Sequence, residues 1–413
     1  MVLSRSQNTI SVKSLMVDKL IVDFDGIVRK HSDHGFIPYR AASSFAHYML
    51  DLFDGIKAQA LFENNEYAKK ALVHFTKKFG NLQIDDSNGE MSILMPELKT
   101  LWEIFLGTSP ASMVTECRKW IEQNVLKESM WIAKDELSIL YEEHFNSEKD
   151  LKAKLKFYDS NIEREKQDKD GRSYHIDDWA HSRAVTMRKL GITNQEVKKY
   201  LADYATLTDC AYLLFDILVE EKNYDEAEKC LRNLAEAHNN WSGITDNVSV
   251  KLKEMYLASG QAERYGNILK EIICNQNSIN HFKEYKGYIP QREWTKARSE
   301  LLDAIVDSDF KMEVLAFENM TDDLYKVFCD TVSCHAHFTY FKEFGKALCP
   351  KYETEFVKMF AEFLDHEMVQ RSRGRYHPHH MPRVQKRLSA SRGCGRGCHD
   401  RFRTRELRAY HSA

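Results

Sequence analysis

The chain has 413 residues, 43% of them hydrophobic and 29% charged, with a formal net charge of −3. This composition supports a buried core, and the near-balanced charge excludes a global basic field of the kind that draws nucleic acid. No apolar run approaches the ~20 residues that span a bilayer, and the opening Met1-Val2-Leu3-Ser4-Arg5-Ser6-Gln7 lacks the apolar segment of a secretion signal.

Only 17 Gly and 7 Pro punctuate the chain, while Leu, Lys, Glu and Ala dominate it. So few breakers and so many strong helix formers predict long helices and an all-α protein with essentially no β-sheet. The nine cysteines, Cys117, Cys210, Cys230, Cys274, Cys329, Cys334, Cys349, Cys394 and Cys398, are odd in number and scattered through helix-patterned sequence. That usage predicts reduced thiols and a cytoplasmic protein rather than a disulfide framework.

In chain order, the first feature is Leu20-Ile21-Val22-Asp23-Phe24-Asp25-Gly26-Ile27-Val28. An apolar run followed by Asp-x-Asp-Gly resembles the first motif of haloacid-dehalogenase-type phosphatases, in which the first Asp attacks phosphorus and the pair helps hold Mg²⁺. That chemistry needs a parallel strand under the motif, and no β-branched runs alternate with helices after residue 30. The expectation here is an amphipathic helix with Ile21, Phe24 and Val28 inward, and a phosphatase using Asp23 and Asp25 is the alternative. Acid pairs that could complete such a site occur at Asp85-Asp86 and Asp177-Asp178.

Tyr39 to Phe62 and Tyr67 to Phe79 then read as amphipathic helices, with Phe45, Met49, Leu52, Phe53, Ile56 and Ala60 on one face and Ala71, Leu72 and Phe75 on the next. Ile84-Asp85-Asp86-Ser87-Asn88-Gly89-Glu90 opens like a calcium loop, but Met91, Ile93 and Met95 end the series of oxygen ligands, so it reads as an acidic turn capping a helix. Thr108-Ser109-Pro110 is a joint, and the all-polar stretch from Glu163 to Arg172 reads as a solvated linker. Ala211–Lys222, Tyr224–His238, Val248–Ala258 and Glu263–Cys274 follow as helices, the last two joined at Ser259-Gly260-Gln261.

Three segments resemble one another: Leu61-Phe62-Glu63-Asn64-Asn65-Glu66-Tyr67-Ala68-Lys69-Lys70-Ala71, Leu218-Val219-Glu220-Glu221-Lys222-Asn223-Tyr224-Asp225-Glu226-Ala227, and Tyr256-Leu257-Ala258-Ser259-Gly260-Gln261-Ala262-Glu263. Each reads as a helix, a polar turn and a second helix opening on a small residue. This is the grammar of tetratricopeptide-like pairs and predicts an irregular α-solenoid of antiparallel helix pairs. The expected blocks are 1–107, 108–205 with its polar linker near 163–172, 206–368, and a basic tail at 369–413.

Trp102, Trp120, Trp131, Trp179, Trp241 and Trp294 are expected as core anchors, with Trp294 one turn before Arg298. His335 and His337 sit two apart in a helical stretch and so point to different faces. In the tail, His377, His379, His380, Cys394, Cys398 and His399 lack the spacing and apolar staples of a folded zinc module. No Gly-rich phosphate loop and no Ser–His–Asp or Cys–His grouping occurs. The sequence therefore assigns no catalytic, cofactor-binding or metal residue.

Several phrases together resemble the long C-terminal helical region of bacterial SWIM zinc-finger family proteins. They are Gly35-Phe36-Ile37-Pro38-Tyr39-Arg40-Ala41-Ala42, the Leu61–Ala71 turn, Gly80-Asn81-Leu82-Gln83-Ile84-Asp85-Asp86-Ser87-Asn88-Gly89-Glu90 leading to Leu101-Trp102, Glu293-Trp294-Thr295-Lys296-Ala297-Arg298, and Cys349-Pro350-Lys351-Tyr352. They run in order from about residue 15 to about residue 368. The family's zinc signature, Cys-x-Cys then Cys-x-His, would lie upstream; no Cys-x-Cys occurs here, so no zinc ligand carries over. The resemblance implies the scaffold of such a protein without its finger, from an internal start or a split gene.

After Gln370 helical periodicity gives way to Arg, His, Gly and Ser. A reading-frame change accounts for that shift better than a nucleic-acid-binding arm built on Arg371, Arg373, Arg375, Lys386, Arg387, Arg392, Arg396, Arg401, Arg403 and Arg405. The functional expectation is a non-catalytic scaffold that binds a protein partner. Nucleic acid would enter only through the missing finger or the basic tail, and no membrane partner is expected.

Overall fold

Helix formers at three- and four-residue spacing fold as the pattern dictates. The computed structural model describes residues 2–167 and 175–374, and among them the protein is all-α, with eighteen α-helices and one two-stranded β pair. The chain divides into two compact units, Met1–Leu234 and Ala235–Ala413.

The first unit contains α1 (Val2–His31), α2 (Tyr39–Ala58), α3 (Ala68–Gly80), α4 (Glu90–Thr108), α5 (Ala111–Asn124), α6 (Lys134–Glu143), α7 (Glu148–Gln167), α8 (Ile176–Lys189), α9 (Asn194–Ala202) and α10 (Thr208–Glu220). The division between units falls within α11 (Tyr224–Ala237). Helix α1 lies on α2 and α3, α2 on α4, α4 on α6, and α7 on α8. A continuous apolar core runs from Val17 to Tyr158. Phe24 stacks on Phe75 with centroids 4.4 Å apart and meets Phe79 edge-on. Trp102, fully covered, stacks on Trp120 at 5.6 Å and donates its indole N–H to the Thr76 hydroxyl at 3.0 Å. The β pair is parallel, β1 (Phe36–Ile37) against β2 (Gln83–Ile84), and it ties the joint before α2 to the joint before α4.

The second unit contains α12 (Ser242–Ala258), α13 (Ala262–Gln276), α14 (Ile279–Tyr288), α15 (Gln291–Ala304), α16 (Ser308–Phe317), α17 (Thr321–His335) and α18 (Phe338–Gly374). Neighbours in sequence again pack together: α12 on α13, α13 on α14, α16 on α17 and α17 on α18. Pro350 lies within α18, and Tyr352 leaves helical geometry (φ −121°, ψ 32°), so the helix kinks there. The kink sets the Tyr352 ring flat on Tyr325 at 3.9 Å and its hydroxyl on Asp322.

Tight reversals with few glycines have one recurrent cause. Helices α2, α8, α10, α12 and α16 all end in a left-handed residue, namely Ala60, Gly191, Lys222, Gly260 and Asn319. In each, the next amide reaches back to a carbonyl five residues earlier: Leu61 to Ile56, Ile192 to Met187, Asn223 to Leu218, Gln261 to Tyr256 and Met320 to Leu315. This is the Schellman closure, which satisfies carbonyls the helix leaves orphaned. The three mutually similar segments of the sequence each contain or adjoin it.

Several boundaries differ from those read off the sequence. The core crosses Thr108-Ser109-Pro110, because Cys117, Ile121 and Trp120 of α5 pack into the same cluster as α4, so residue 107 does not end a block. The compact division falls at 234/235 rather than at 205/206. Residues 163–167 of the expected linker continue α7, their side chains soluble on a helix as readily as in a loop, and 168–172 lie outside the described residues. Helix α18 runs past residue 368 to Gly374, and the tail from 375 lies outside the described residues.

Because Lys222 occupies a left-handed position (φ 60°) while exposed, its Cβ strains the backbone there. Lys222→Gly is expected to raise unfolding free energy by about 0.5–1 kcal/mol, read as an increased denaturant midpoint.

Candidate functional site

The acidic pairs of the sequence do not converge on one site; those with resolved contacts brace helices. Asp23 and Asp25 lie on α1, not at the end of a strand. Asp23 is exposed, while Asp25 takes the His74 imidazole of α3 at 2.9 Å. Phe24 between them is fully buried, with Ile21 and Val28 packed against the core. Asp86 accepts the Met91 amide at 2.8 Å and so caps α4. Asp177, in the first turn of α8, accepts the Asp209 and Cys210 amides at 3.0 and 3.1 Å, capping α10 from a neighbouring helix. A carboxylate at a helix N-terminus meets both its free amides and its dipole.

Other expected residues are placed as follows. Trp102 and Trp294 are buried, whereas Trp131 and Trp241 are 76% and 68% exposed. Those two correct the reading of all six tryptophans as anchors: Trp131 follows the 3-10 turn at Glu128–Met130 and Trp241 precedes α12, so neither occupies an inward helical position. His337 is not helical; it lies in the joint between α17 and α18, where its Nδ1 meets the Thr339 hydroxyl at 2.7 Å. The described cysteines are free thiols, and burial pushes those of Cys117 and Cys230 up to about 11. His377, His379, His380, Cys394, Cys398 and His399 lie outside the described residues, among which no cluster of three or more His, Cys, Asp or Glu could hold a metal ion. No helix among them is long and apolar enough to cross a membrane.

Two polar networks had no motif to announce them. In the first, Arg118 of α5, 6% exposed at its side chain, pairs with Glu122 and donates from Nε to Asp150 of α7 at 2.9 Å. Tyr141 of α6 donates to Glu122 at 2.8 Å. Beside them the wholly buried Lys154 donates to the carbonyls of Glu142 and His144 at 3.2 and 3.1 Å, closing the end of α6, with the Tyr141 ring 5.0 Å away. Burial pushes the Lys154 ammonium down to about 8. The only sequence trace of this network is the i,i+4 pairing of Arg118 with Glu122.

In the second, Glu318 closes α16 with a side chain only 3% exposed. It receives Lys286 at 2.7 Å, Arg298 at 3.0 Å and the Trp294 indole at 3.1 Å, joining α14, α15 and α16. Burial works to raise its pKa, but the three donors outweigh that and hold it below the usual carboxylate range. Trp294 also meets Phe282 and Tyr285 edge-on, so the Trp294 and Arg298 phrase of the sequence is a packing and charge-pairing device.

The second unit also carries an open groove of about 780 Å³. Its lining includes Asp307, Asp309, Glu313 and Glu343 with Phe310, Tyr340 and Phe344, and no Lys or Arg. Asp307 caps α16 through the Phe310 amide at 2.7 Å, and Asp309 accepts the Tyr340 hydroxyl at 2.9 Å. Burial first, then Asp309, Asp307 and Glu343, push the Tyr340 phenol up.

Comparison of the sequence with protein-family models and with curated proteins gave no match.

Trp294→Ala is expected to cost about 3–5 kcal/mol of stability, because it empties a large buried site and strips a donor from Glu318; denaturant unfolding reads it. For Lys154 the sign follows from its depressed pKa. Between about pH 8 and its usual 10.5 the folded state holds fewer protons than the unfolded chain, so this group's contribution to stability grows as pH rises. Unfolding free energies at pH 7.5 and pH 10 should therefore shift in favour of wild type over Lys154→Met by about 2 kcal/mol on going to the higher pH.

Proposed function

We propose that this chain is a non-catalytic interaction scaffold, an irregular solenoid of tetratricopeptide-like helix pairs that binds a protein partner. The observation that carries this reading is α1, which is apolar on two sides. Val17, Leu20 and Phe24 are buried, whereas Val12, Leu15 and Val22 are 54%, 65% and 61% exposed. At 100° per residue those three fall within about 80° of one another on the outer face. A helix with a second apolar face offers a surface for a partner. The perturbed buried groups support the same reading: Lys154, Arg118 and Glu318 spend their polar atoms on helix ends and on one another.

We further propose that the chain corresponds to the helical part of a SWIM zinc-finger-type protein. Support comes from where its phrases fall. Phe36-Ile37 and Gln83-Ile84 meet as the β pair, Trp294 and Arg298 meet on Glu318, and Tyr352 marks the kink of α18. They are joints, which a scaffold family would need to keep.

The test compares the full chain with its Leu15→Glu/Val22→Glu variant. A protein that binds wild type and can be titrated against it is expected to lose most of its affinity for the variant, while the melting curve stays unchanged. The same preparations, with Asp23→Asn and Asp25→Asn, are assayed for Mg²⁺-dependent phosphate-ester hydrolysis. Turnover by wild type that both carboxylate changes abolish would overturn the scaffold reading in favour of an enzyme.

A further inference from the structure

Several carboxylates of the second unit have a cationic partner, as Asp322 has Lys351, Glu284 has Lys253, and Glu318 has Lys286 and Arg298. The groove between the start of α16 and the start of α18 is different. Asp307, Asp309, Glu313 and Glu343 line it with no Lys or Arg among them. Glu313 and Glu343 are exposed and make no ion pair among the described residues. Four like charges around one cavity repel one another unless a cation enters. The groove is not merely acidic. Phe310, Tyr340 and Phe344 line it, and Val306 and Phe338, next in sequence to the lining residues Asp307 and Thr339, are 93% and 42% exposed. Its chemistry fits a segment that alternates cations with apolar groups.

The same chain carries such a segment. Arg401-Phe402-Arg403-Thr404-Arg405-Glu406-Leu407-Arg408 interleaves arginines with Phe402 and Leu407. We propose that this segment docks intramolecularly in the groove, its arginines on Asp307, Asp309, Glu313 and Glu343 and its Phe402 against the aromatic lining at Phe310, Tyr340 and Phe344. The chain is long enough. From Phe344 to Gly374 even a straight helix measures only about 45 Å, and the kink at Tyr352 shortens that path. The residues from Arg375 to Arg401 can span up to about 90 Å, so Arg401 reaches back to the groove with slack. Guanidinium groups pair with carboxylates in bidentate geometry and stack on aromatic rings, both of which the groove supplies. Docking would withhold these arginines from phosphate, so the groove acts as an internal competitor for anything that binds the basic segment.

The experiment places a photoreactive benzoylphenylalanine at position 402 of the full chain and maps the adducts by mass spectrometry. The expected result is intramolecular cross-links to peptides covering residues 306–344. Their yield should fall about fivefold or more at ~0.5 M salt, where the screening length shrinks to a few ångströms, and likewise in the Glu313→Gln/Glu343→Gln variant. Both glutamates are exposed, so that variant should keep the wild-type melting curve. Adducts scattered over the surface, adducts that persist in the variant, or only adducts between two chains would each overturn the proposal.

Discussion

A packed helix still leaves its first amides and last carbonyls without partners inside the helix, and burying such an end unsatisfied costs a lost hydrogen bond or more at each group. The eighteen helices among the described residues meet that requirement again and again, and much of the protein's unusual chemistry is a response to it. Five helices close on themselves through a left-handed residue. Others borrow a group from a neighbour: Asp177 of α8 caps α10, and Lys154 of α7 closes α6. The borrowed caps also bind helix to helix, so a local need for hydrogen bonds ties α8 to α10 and α7 to α6.

This constraint explains why several residues that look functional are structural. An aspartate pair, a buried lysine with a depressed pKa, and a tryptophan beside an arginine are each the kind of group that marks active sites. Here Lys154 has no solvent path and is held by two carbonyls, while Trp294 and Arg298 converge on one carboxylate at the end of α16. A perturbed pKa follows from burial and partners in either case. What separates the two is whether the group faces a cavity. The groove at α16 and α18 is such a cavity, and four carboxylates line it with no Lys or Arg.

Unpartnered surfaces arise where the stacking pattern leaves something over. Helix α1 has an inner face covered by α2 and α3 and an outer face with Val12, Leu15 and Val22 in water. Apolar side chains exposed singly need no explanation, but several on one face of one helix do. The groove is the charged counterpart, a place where acid and apolar groups coexist without the arginine or lysine that completes comparable joints nearby.

Much of the fold was legible in the chain itself. Helix content, the positions of Phe45, Met49, Phe53 and Phe75 in the core, the burial of Phe24, the capping turn at Asp86 and the anchoring of Trp294 all follow from spacing and side-chain chemistry within a dozen residues. Such local information suffices because a helix face and a helix cap are both set by near neighbours. Other features needed the tertiary structure. Nothing local to Arg118 announces Asp150, 32 positions away, and nothing local to Glu318 announces Lys286, 32 positions before it. The same limit hid the continuity of the core through Pro110 and the exposure of Trp131 and Trp241. The sequence alone determined that these residues form helices and which face of each turns inward. Only the packing of helices distant along the chain decided which charges were paired, which were buried and which were left facing an open groove, because those outcomes depend on partners that no local pattern encodes.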